Sequence, residues 1–327
     1  MKAIICTKYG PPDVLELKEV EKPTPKEDEA LVKIHAASLN AADLEILRGT
    51  WSARFSGPLK PRHKILGSDI AGRIEAVGRN VRQFQPGDEI WGDLSFPLDY
   101  GAFAEYVCVP ENALRLKPAR MTFEEAATVP SAASPSFLLS DKGEIRPGQK
   151  VLINGAGGGV GTFAVQIAKS FGAEVTGVDS PSKLDMLRSI GADHVIDYTQ
   201  EDFTKNGQRY DLILDVLASR SIFDYKRALS PKGTFVCVGG SLAAILQAFL
   251  LGPLISMTGS NKMGIVMWKP NNQEDLVILE ELFAAGKVAP VIDRCYPLSE
   301  VPEALRYLEE GYAKGKVVIS VEHNDQG

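Results

Sequence analysis

Short apolar runs punctuated by glycine and proline fill the first third of the chain. Residues 30–37 alternate as a half-buried strand does, and 70–77 and 103–109 repeat the pattern. Gln85-Pro-Gly-Asp-Glu-Ile-Trp91 sets a Pro-Gly turn ahead of another strand, and residues 1–8 read as a first strand. So many short strands predict a β-barrel-like unit over residues 1 to about 125. The pattern changes near Thr122. Residues 123–129 read as helical, and from Val151 strands alternate with helices. Strands are expected at 151–153, 175–178, 194–196, 212–215 and 234–238, with helices such as 184–190 and 221–228 between them. Gly191 stands where a helix C-cap belongs. This alternation predicts an α/β unit with a parallel, doubly wound sheet. Beyond residue 264 come a helix (273–285), an extended stretch (288–292), a short helix (301–311) and a closing strand (316–321). A tail this short builds no core of its own. It is expected to complete the first unit, so that 125–264 is inserted between 1–124 and 265–327.

One apolar run, residues 242–257, is shorter than the roughly 20 residues a membrane span needs. Gln247, Gly252 and Pro253 interrupt it. The expectation is a buried helix with a following strand, or a subunit contact, and no integral membrane span.

The segment with most chemistry is Val151-Leu-Ile-Asn-Gly-Ala-Gly-Gly-Gly-Val-Gly161, which opens into a helical Thr162-Phe-Ala-Val-Gln-Ile-Ala-Lys169. Strand, tight turn and helix N-terminus follow in order, and such a terminus favours a pyrophosphate. Ala156 takes the first position of the glycine fingerprint. Gly158, Gly159, Val160 and Gly161 are the expected pyrophosphate residues. The next strand ends in Asp179, at about the 20-residue distance of an acid that holds ribose hydroxyls. Asp179 would repel a 2′-phosphate, whereas Ser180, Ser182 and Lys183 offer hydroxyls and a cation for one. The expected cofactor is NAD(P)H, with the preference left open. Gly239 and Gly240 end a strand at the sheet edge where ligands bind.

Length and charge narrow the field. The chain has 327 residues, enough for about two domains. Its net charge of −6 carries no Lys/Arg-rich block, which argues against a nucleic-acid partner. Cys6, Cys108, Cys237 and Cys295 lie far apart, without metal-site or redox-motif spacing. The N-terminus lacks a signal peptide's apolar region, so a cytoplasmic location is expected.

Several segments together carry a family resemblance: Ala36-Ala-Ser-Leu-Asn-Ala-Ala-Asp43, Leu66-Gly-Ser-Asp-Ile-Ala-Gly72, Gln85–Trp91 and Gly101-Ala-Phe-Ala-Glu-Tyr106. The glycine turn, Gly191-Ala-Asp-His-Val-Ile-Asp-Tyr198 and Gly315-Lys-Val-Val-Ile319 extend it. In this order they resemble the medium-chain dehydrogenase/reductase superfamily, in particular its zinc-independent quinone oxidoreductase (zeta-crystallin-like) branch. The resemblance implies a Rossmann-type dinucleotide domain beside a β-rich, GroES-like catalytic domain. It also implies a homodimer built on the last strand of the nucleotide sheet, around 254–259. Zinc alcohol dehydrogenases of the superfamily carry Cys where this chain has Asn40, and Gly-His-Glu where it has Gly67-Ser68-Asp69. Zinc takes most of its protein ligands from Cys and His. With those replaced, and with no cysteine-rich loop, no zinc is expected.

The implied reaction is hydride transfer to a quinone or an α,β-unsaturated carbonyl. It leaves a delocalised enolate that needs hydrogen-bond donors rather than a metal. The resemblance puts Asn40 in the active cleft, donating to the substrate oxygen or the nicotinamide ribose, with Ser68 lining the same cleft. Asp69 matches an acid behind the metal ligands. Asp43 reads as a helix-start acid or a site residue, and Tyr100 as a cleft wall or a packing residue. Tyr198 matches a position at the adenosine end. Lys316 either reaches the cofactor or is a solvated turn lysine. Relatives read Gly-Leu-Thr-Ala near residue 130. Here Pro130-Ser-Ala-Ala-Ser-Pro-Ser136 puts Pro135 where the Thr is expected, with Ser134 or Ser136 as substitute hydroxyls. Two alternatives stay open: an alcohol dehydrogenase-like enzyme, and a dinucleotide-binding protein with little catalysis.

Overall fold

The computed structural model describes residues 1–95, 98, 100–133, 145–266 and 272–323. Strands β1 (Lys2–Cys6) and β2 (Leu15–Glu19) pair antiparallel. β3 (Glu29–Ser38), β4 (Asp69–Val77), β5 (Glu89–Asp93) and β7 (Leu114–Leu116) run antiparallel in one sheet, and β6 (Tyr106–Pro110) pairs with β3. β3 is buried along most of its length, and Val32, Ile34 and Ala37 belong to the unit's core. Helix α1 (Ala41–Arg48) starts on a capping box in which Asp43 accepts from the Asn40 N–H at 2.8 Å. It ends at Gly49, φ +64°, where a Cβ would fall 2.6 Å from the Tyr9 ring. Helix α2 (Trp51–Ser56) follows. Thr122 caps α3 (Phe123–Ala127), trading hydrogen bonds with Glu125. That cap is the physical reason for the change of pattern at this point.

A second sheet is wholly parallel, in the order β10 (His194–Asp197), β9 (Glu174–Asp179), β8 (Lys150–Asn154), β11 (Tyr210–Asp215), β12 (Leu229–Cys237), β13 (Lys262–Ile265). Val151, Leu152 and Ile153 are completely buried, as a central parallel strand requires. α4 (Gly159–Ser170), α5 (Leu184–Ser189) and α6 (Ile222–Ala228) alternate with the strands.

Residues 242–258 depart from the expected buried helix and following strand. They form one helix, α7 (Leu242–Thr258), with Pro253 inside it. Only one face is covered: a Cβ on Gly252 would meet Met263 O at 2.6 Å, so the helix lies close against β13. Leu246, Phe249, Leu250, Leu254 and Met257 are exposed. The last strand of this sheet is therefore β13, and 254–259 lie on α7 and its end. Among the described residues no helix is long and apolar enough to cross a membrane.

The chain divides into one unit of Met1–Ala132 with Ile292–Gly327, and another of Ala133–Val291. The expected borders at 125 and 265 fall short of these. Helix α8 (Gln273–Ala284) belongs to the second unit, where the Phe283 ring meets that of Phe163 on α4 and Ala289 N–H donates to Gln166 at 2.9 Å. β14 (Ile292–Pro297), α9 (Val301–Glu309) and β15 (Lys316–Ser320) return to the first unit, where β15 pairs antiparallel with β3 and parallel with β14.

Candidate active site

Two clusters emerge, one in each unit. In the second unit, β8 leads into Gly155, φ +78°, and the N–H groups of Gly155 and Ala156 donate to Val178 O at 3.0 and 3.1 Å. Gly158 takes the N-cap position of α4 and has no side chain to cap it. The first helical bond is Thr162 N–H to Gly158 O at 3.0 Å, so the N–H groups of Gly159, Val160 and Gly161 precede it. A Cβ on Gly161 would fall 2.2 Å from Gly155 O. Only glycine lets α4 sit this close to the turn. A Cβ on Gly158 would meet nothing closer than 3.6 Å, so the outer side of the turn is open. This arrangement fits a dinucleotide pyrophosphate.

Asp179, at the end of β9, faces into the turn. Its carboxylate accepts from Gly157 N–H at 2.7 Å and from Ser180 N–H at 2.8 Å. The Lys183 ammonium lies 3.6 Å away, and both residues are buried. The Ser180 and Ser182 hydroxyls stand 3.2 Å apart. Tyr198 donates its backbone N–H to Asp179 O at 3.3 Å and leaves its ring exposed. Gly239 O accepts from Ala218 N–H at 2.9 Å. Gly240, φ +134°, lies so close that a Cβ would fall 2.1 Å from Ala218 O. Sequence reading missed one pair beside these glycines: Asn154 donates to buried Asp215 at 2.8 Å, across neighbouring ends of β8 and β11.

The cluster in the first unit is a product of strand register. Asp69 opens β4, opposite Ser38 on β3 and opposite Asp93 on β5. Five donors converge on its carboxylate. Ser38 (3.2 Å), the Asn40 amide (3.0 Å) and the Lys316 ammonium (3.4 Å) reach Oδ2; Ser131 (2.5 Å) and, more weakly, Ser68 (3.4 Å) reach Oδ1. Lys316 also donates to Asn40 Oδ1 at 2.7 Å and to Leu39 O at 3.1 Å. An ammonium only donates, so the atom of Asn40 facing it must be the oxygen. The amide nitrogen then points to Ser68 Oγ at 3.2 Å and to Asp69.

Burial governs the titrations. It pushes Asp93 up to about 7, helped by the charge of Asp69. It pushes Asp43 up to about 7, against the opposing hydrogen bond from Asn40 N–H. Burial pulls the Lys316 ammonium below the usual lysine range, while Asp69 and Asp43 hold it up.

These positions correct two expectations. Lys316 is no solvated turn lysine; it is 2 % exposed and begins a strand. Asn40 spends both amide hydrogens on Ser68 and Asp69, so in this arrangement it has none for a substrate oxygen. Asp43 is the helix-start acid, 1 % exposed. Tyr100 adopts φ +58° and packs its ring against His63 at 5.1 Å. Ser134, Pro135 and Ser136 lie outside the described residues. From the same segment it is Ser131, missed in the sequence, that reaches the cluster. Asp93 and Ser38 were missed as well, because no spacing links them to Asp69 before the sheet forms.

The donor set does not fit zinc. Asn40, Ser68 and Ser131 offer amide and hydroxyl groups, and an ammonium already stands among them, repelling a dication. Among the described residues no group of three or more His, Cys, Asp or Glu side chains is placed to hold a metal ion.

A Rossmann-type unit with an open glycine turn and a β-rich unit in one chain define a nicotinamide-dependent oxidoreductase. Residues 26–119 match the alcohol dehydrogenase GroES-like domain, and residues 190–319 match the zinc-binding dehydrogenase family. The chain is 36% identical over 329 residues to 2-methylene-furan-3-one reductase of Solanum lycopersicum, covering 98% of this chain and 79% of that protein. It is 33% identical to the chloroplastic NADPH-dependent alkenal/one oxidoreductase of Arabidopsis thaliana, with the same coverage. The solved quinone oxidoreductase of Coxiella burnetii superposes with a TM-score of 0.85 at 30% identity, over 98% of this chain and 99% of that one. The chain belongs to the medium-chain dehydrogenase/reductase superfamily.

Proposed function

We propose that the protein transfers a hydride from NAD(P)H to a quinone or an α,β-unsaturated carbonyl without a metal ion. The observation that carries this reading is an open glycine turn in a chain whose expected zinc-ligand positions are Asn40 and Ser68, with the Lys316 ammonium donating to Asn40. The bound nicotinamide supplies the hydride at its C4. The N–H groups of Gly159, Val160 and Gly161, with Gly158 leaving room at the N-cap, would hold the pyrophosphate, and Asp179 keeps the turn in shape through Gly157. Attack at a conjugated carbon spreads the charge over an enolate, so no Lewis acid is required, and solvent supplies the proton. An alcohol substrate would need its hydroxyl deprotonated, and among the described residues no side-chain group is placed to hold a metal for that step. Names of relatives support an activated acceptor: a methylene-furanone reductase and an alkenal/one oxidoreductase.

Asp179 is turned into the loop and buried, so its charge is not presented to a 2′-phosphate. Lys183, Ser180 and Ser182 supply a cation and two hydroxyls at the same place. We infer that NADPH is accepted as readily as NADH. Parallel fluorescence titrations with NADH and NADPH, followed by NAD(P)H oxidation with a panel of enones and quinones, test the reading. Binding of both cofactors and turnover of at least one acceptor is expected. Binding without turnover would replace it with a cofactor-binding protein.

A homodimer fits the second unit. Among the described residues β13 is the last strand of its sheet, and the adjacent α7 exposes an apolar face. Light scattering on the purified protein should give twice the 35.4 kDa chain mass, and Phe249→Asp should shift it toward the monomer. A wild-type monomer at tens of micromolar sinks the dimer. The free thiols suit a reducing compartment such as the cytoplasm.

A further inference from the structure

The two positions at which the resemblance expects zinc ligands hold Asn40 and Ser68, within the part of the chain that matches the GroES-like domain. We propose that Lys316 is a positioning residue whose ammonium, seated behind these two side chains, locks the Asn40 amide and the hydroxyls gathered on Asp69. The inference rests on the metal-free reductase reading and says what orients those side chains.

Geometry carries it. The Lys316 ammonium has three oxygens for its three N–H groups: Asn40 Oδ1 at 2.7 Å, Leu39 O at 3.1 Å and Asp69 Oδ2 at 3.4 Å. Its side chain is 2% exposed and that of Asp69 is 0% exposed. A buried ion pair is no bargain in stability compared with a well-packed apolar pair. Here the ammonium does something an apolar side chain does not. It forces the oxygen of Asn40 inward, which turns the amide nitrogen onto Ser68 and Asp69. Asp69 in turn gathers the Ser68 and Ser131 hydroxyls. Those three side chains stand in one fixed orientation because a single cation sits behind them. Lys316 reaches them from β15, more than 240 residues further along the chain than Asp69. The tether makes the cation permanent, whereas a metal is exchangeable.

Removing the ammonium should therefore disorganise the cluster, and a small cation supplied from outside should restore it. The test uses full-length Lys316→Ala and Lys316→Met, read by NAD(P)H oxidation with an accepted enone and by thermal melting, with and without n-propylammonium. Lys316→Ala should lose about 10- to 100-fold in kcat/KM, the scale for partners that orient site ligands. Propylammonium should restore activity saturably and raise the melting temperature of this variant, while sodium at equal ionic strength does neither. Lys316→Met fills the space without the charge and should stay impaired and unresponsive. Folded Lys316→Met with wild-type kcat/KM would overturn the proposal, and so would a folded Lys316→Ala that propylammonium leaves unchanged in both readouts. If both single variants fail to fold, Lys316→Met/Asp69→Asn removes both charges. That variant should fold and remain impaired, and wild-type activity in it would overturn the proposal equally. Should the wild type reduce no enone or quinone, the reductase reading fails on its own, and the amine-dependent melting shift of Lys316→Ala still decides the role of the cation.

Discussion

Each unit buries an aspartate beside a lysine at its functional cluster, and the two pairs are built differently. Asp179 and Lys183 are four residues apart, 3.6 Å from each other, and the carboxylate leans mainly on the backbone N–H groups of Gly157 and Ser180. Asp69 and Lys316 come from strands that only the folded sheet brings together, and the carboxylate leans on side chains: Ser38, Asn40, Ser68 and Ser131. The first is a local clamp that shapes a turn. The second is a tertiary hub, in which a change at the central carboxylate leaves every donor without its common acceptor. A turn clamped by backbone groups tolerates change at the cation, whereas a hub does not tolerate change at its centre.

The largest effect should follow from cutting the hub. Asp69→Ala leaves the Lys316 ammonium buried and strips four other donors of a common acceptor. Breaking a buried pair from one side costs about 3–5 kcal/mol. Urea denaturation of Asp69→Ala should show a loss of that size, and Asp179→Ala a smaller one, because it leaves two backbone N–H groups and Lys183 without their acceptor, whereas Asp69→Ala leaves five side-chain donors. Equal losses in the two variants would erase the distinction between hub and clamp.

The contrast in construction also decided what could be read from the chain. The residues of the clamp were legible, since the glycines, Asp179 and Lys183 sit within one βαβ segment, but the clamp itself was not: Asp179 was expected to face a ribose, and its carboxylate takes the Gly157 N–H instead. Half of the hub was legible through resemblance, as Asn40, Ser68 and Lys316. The roles were not, because they depend on which atom of Asn40 faces the ammonium. Asp93, Ser38 and Ser131 left no trace, since only the pairing of β3, β4 and β5 sets them around Asp69. α7 was read in part: a buried helix with a following strand, or a subunit contact, was expected, and the run forms one half-exposed helix. Apolar composition announces that a surface is to be covered, but not whether the cover is this chain or a second one.

An intermediate effect concerns pH. Asp93 is held at about 7 by burial and by the charge of Asp69, well above an unfolded aspartate. The folded state therefore binds the proton more tightly than the unfolded state. The resulting stabilisation is complete below the unfolded value, near pH 4, and is lost as pH rises through about 7. Asp43, also at about 7, acts in the same direction. Stability measured by urea should thus decline between pH 5 and pH 8, and Asp93→Asn should flatten part of that decline. A wild-type stability that climbs from pH 5 to pH 8 would remove the protonated carboxyl from the hub.

The smallest effect probes the clamp from its cation side. Lys183 packs its stem over Gly157, where a Cβ would lie 2.6 Å from Lys183 Cδ, and it carries its charge to the Asp179 end of the turn. Lys183→Met keeps the stem and removes the charge, while Asp179 retains its two backbone donors. The turn should hold its shape, so affinity for NADH should change little. NADPH loses a cation beside its 2′-phosphate, which should weaken it about 10-fold, the equivalent of about 1.4 kcal/mol. Titration of both cofactors against wild type and Lys183→Met measures the ratio directly. An equal loss for NADH and NADPH would mean that Lys183 supports the turn as a whole. The clamp would then resemble the hub, with its lysine holding a geometry rather than reading a phosphate.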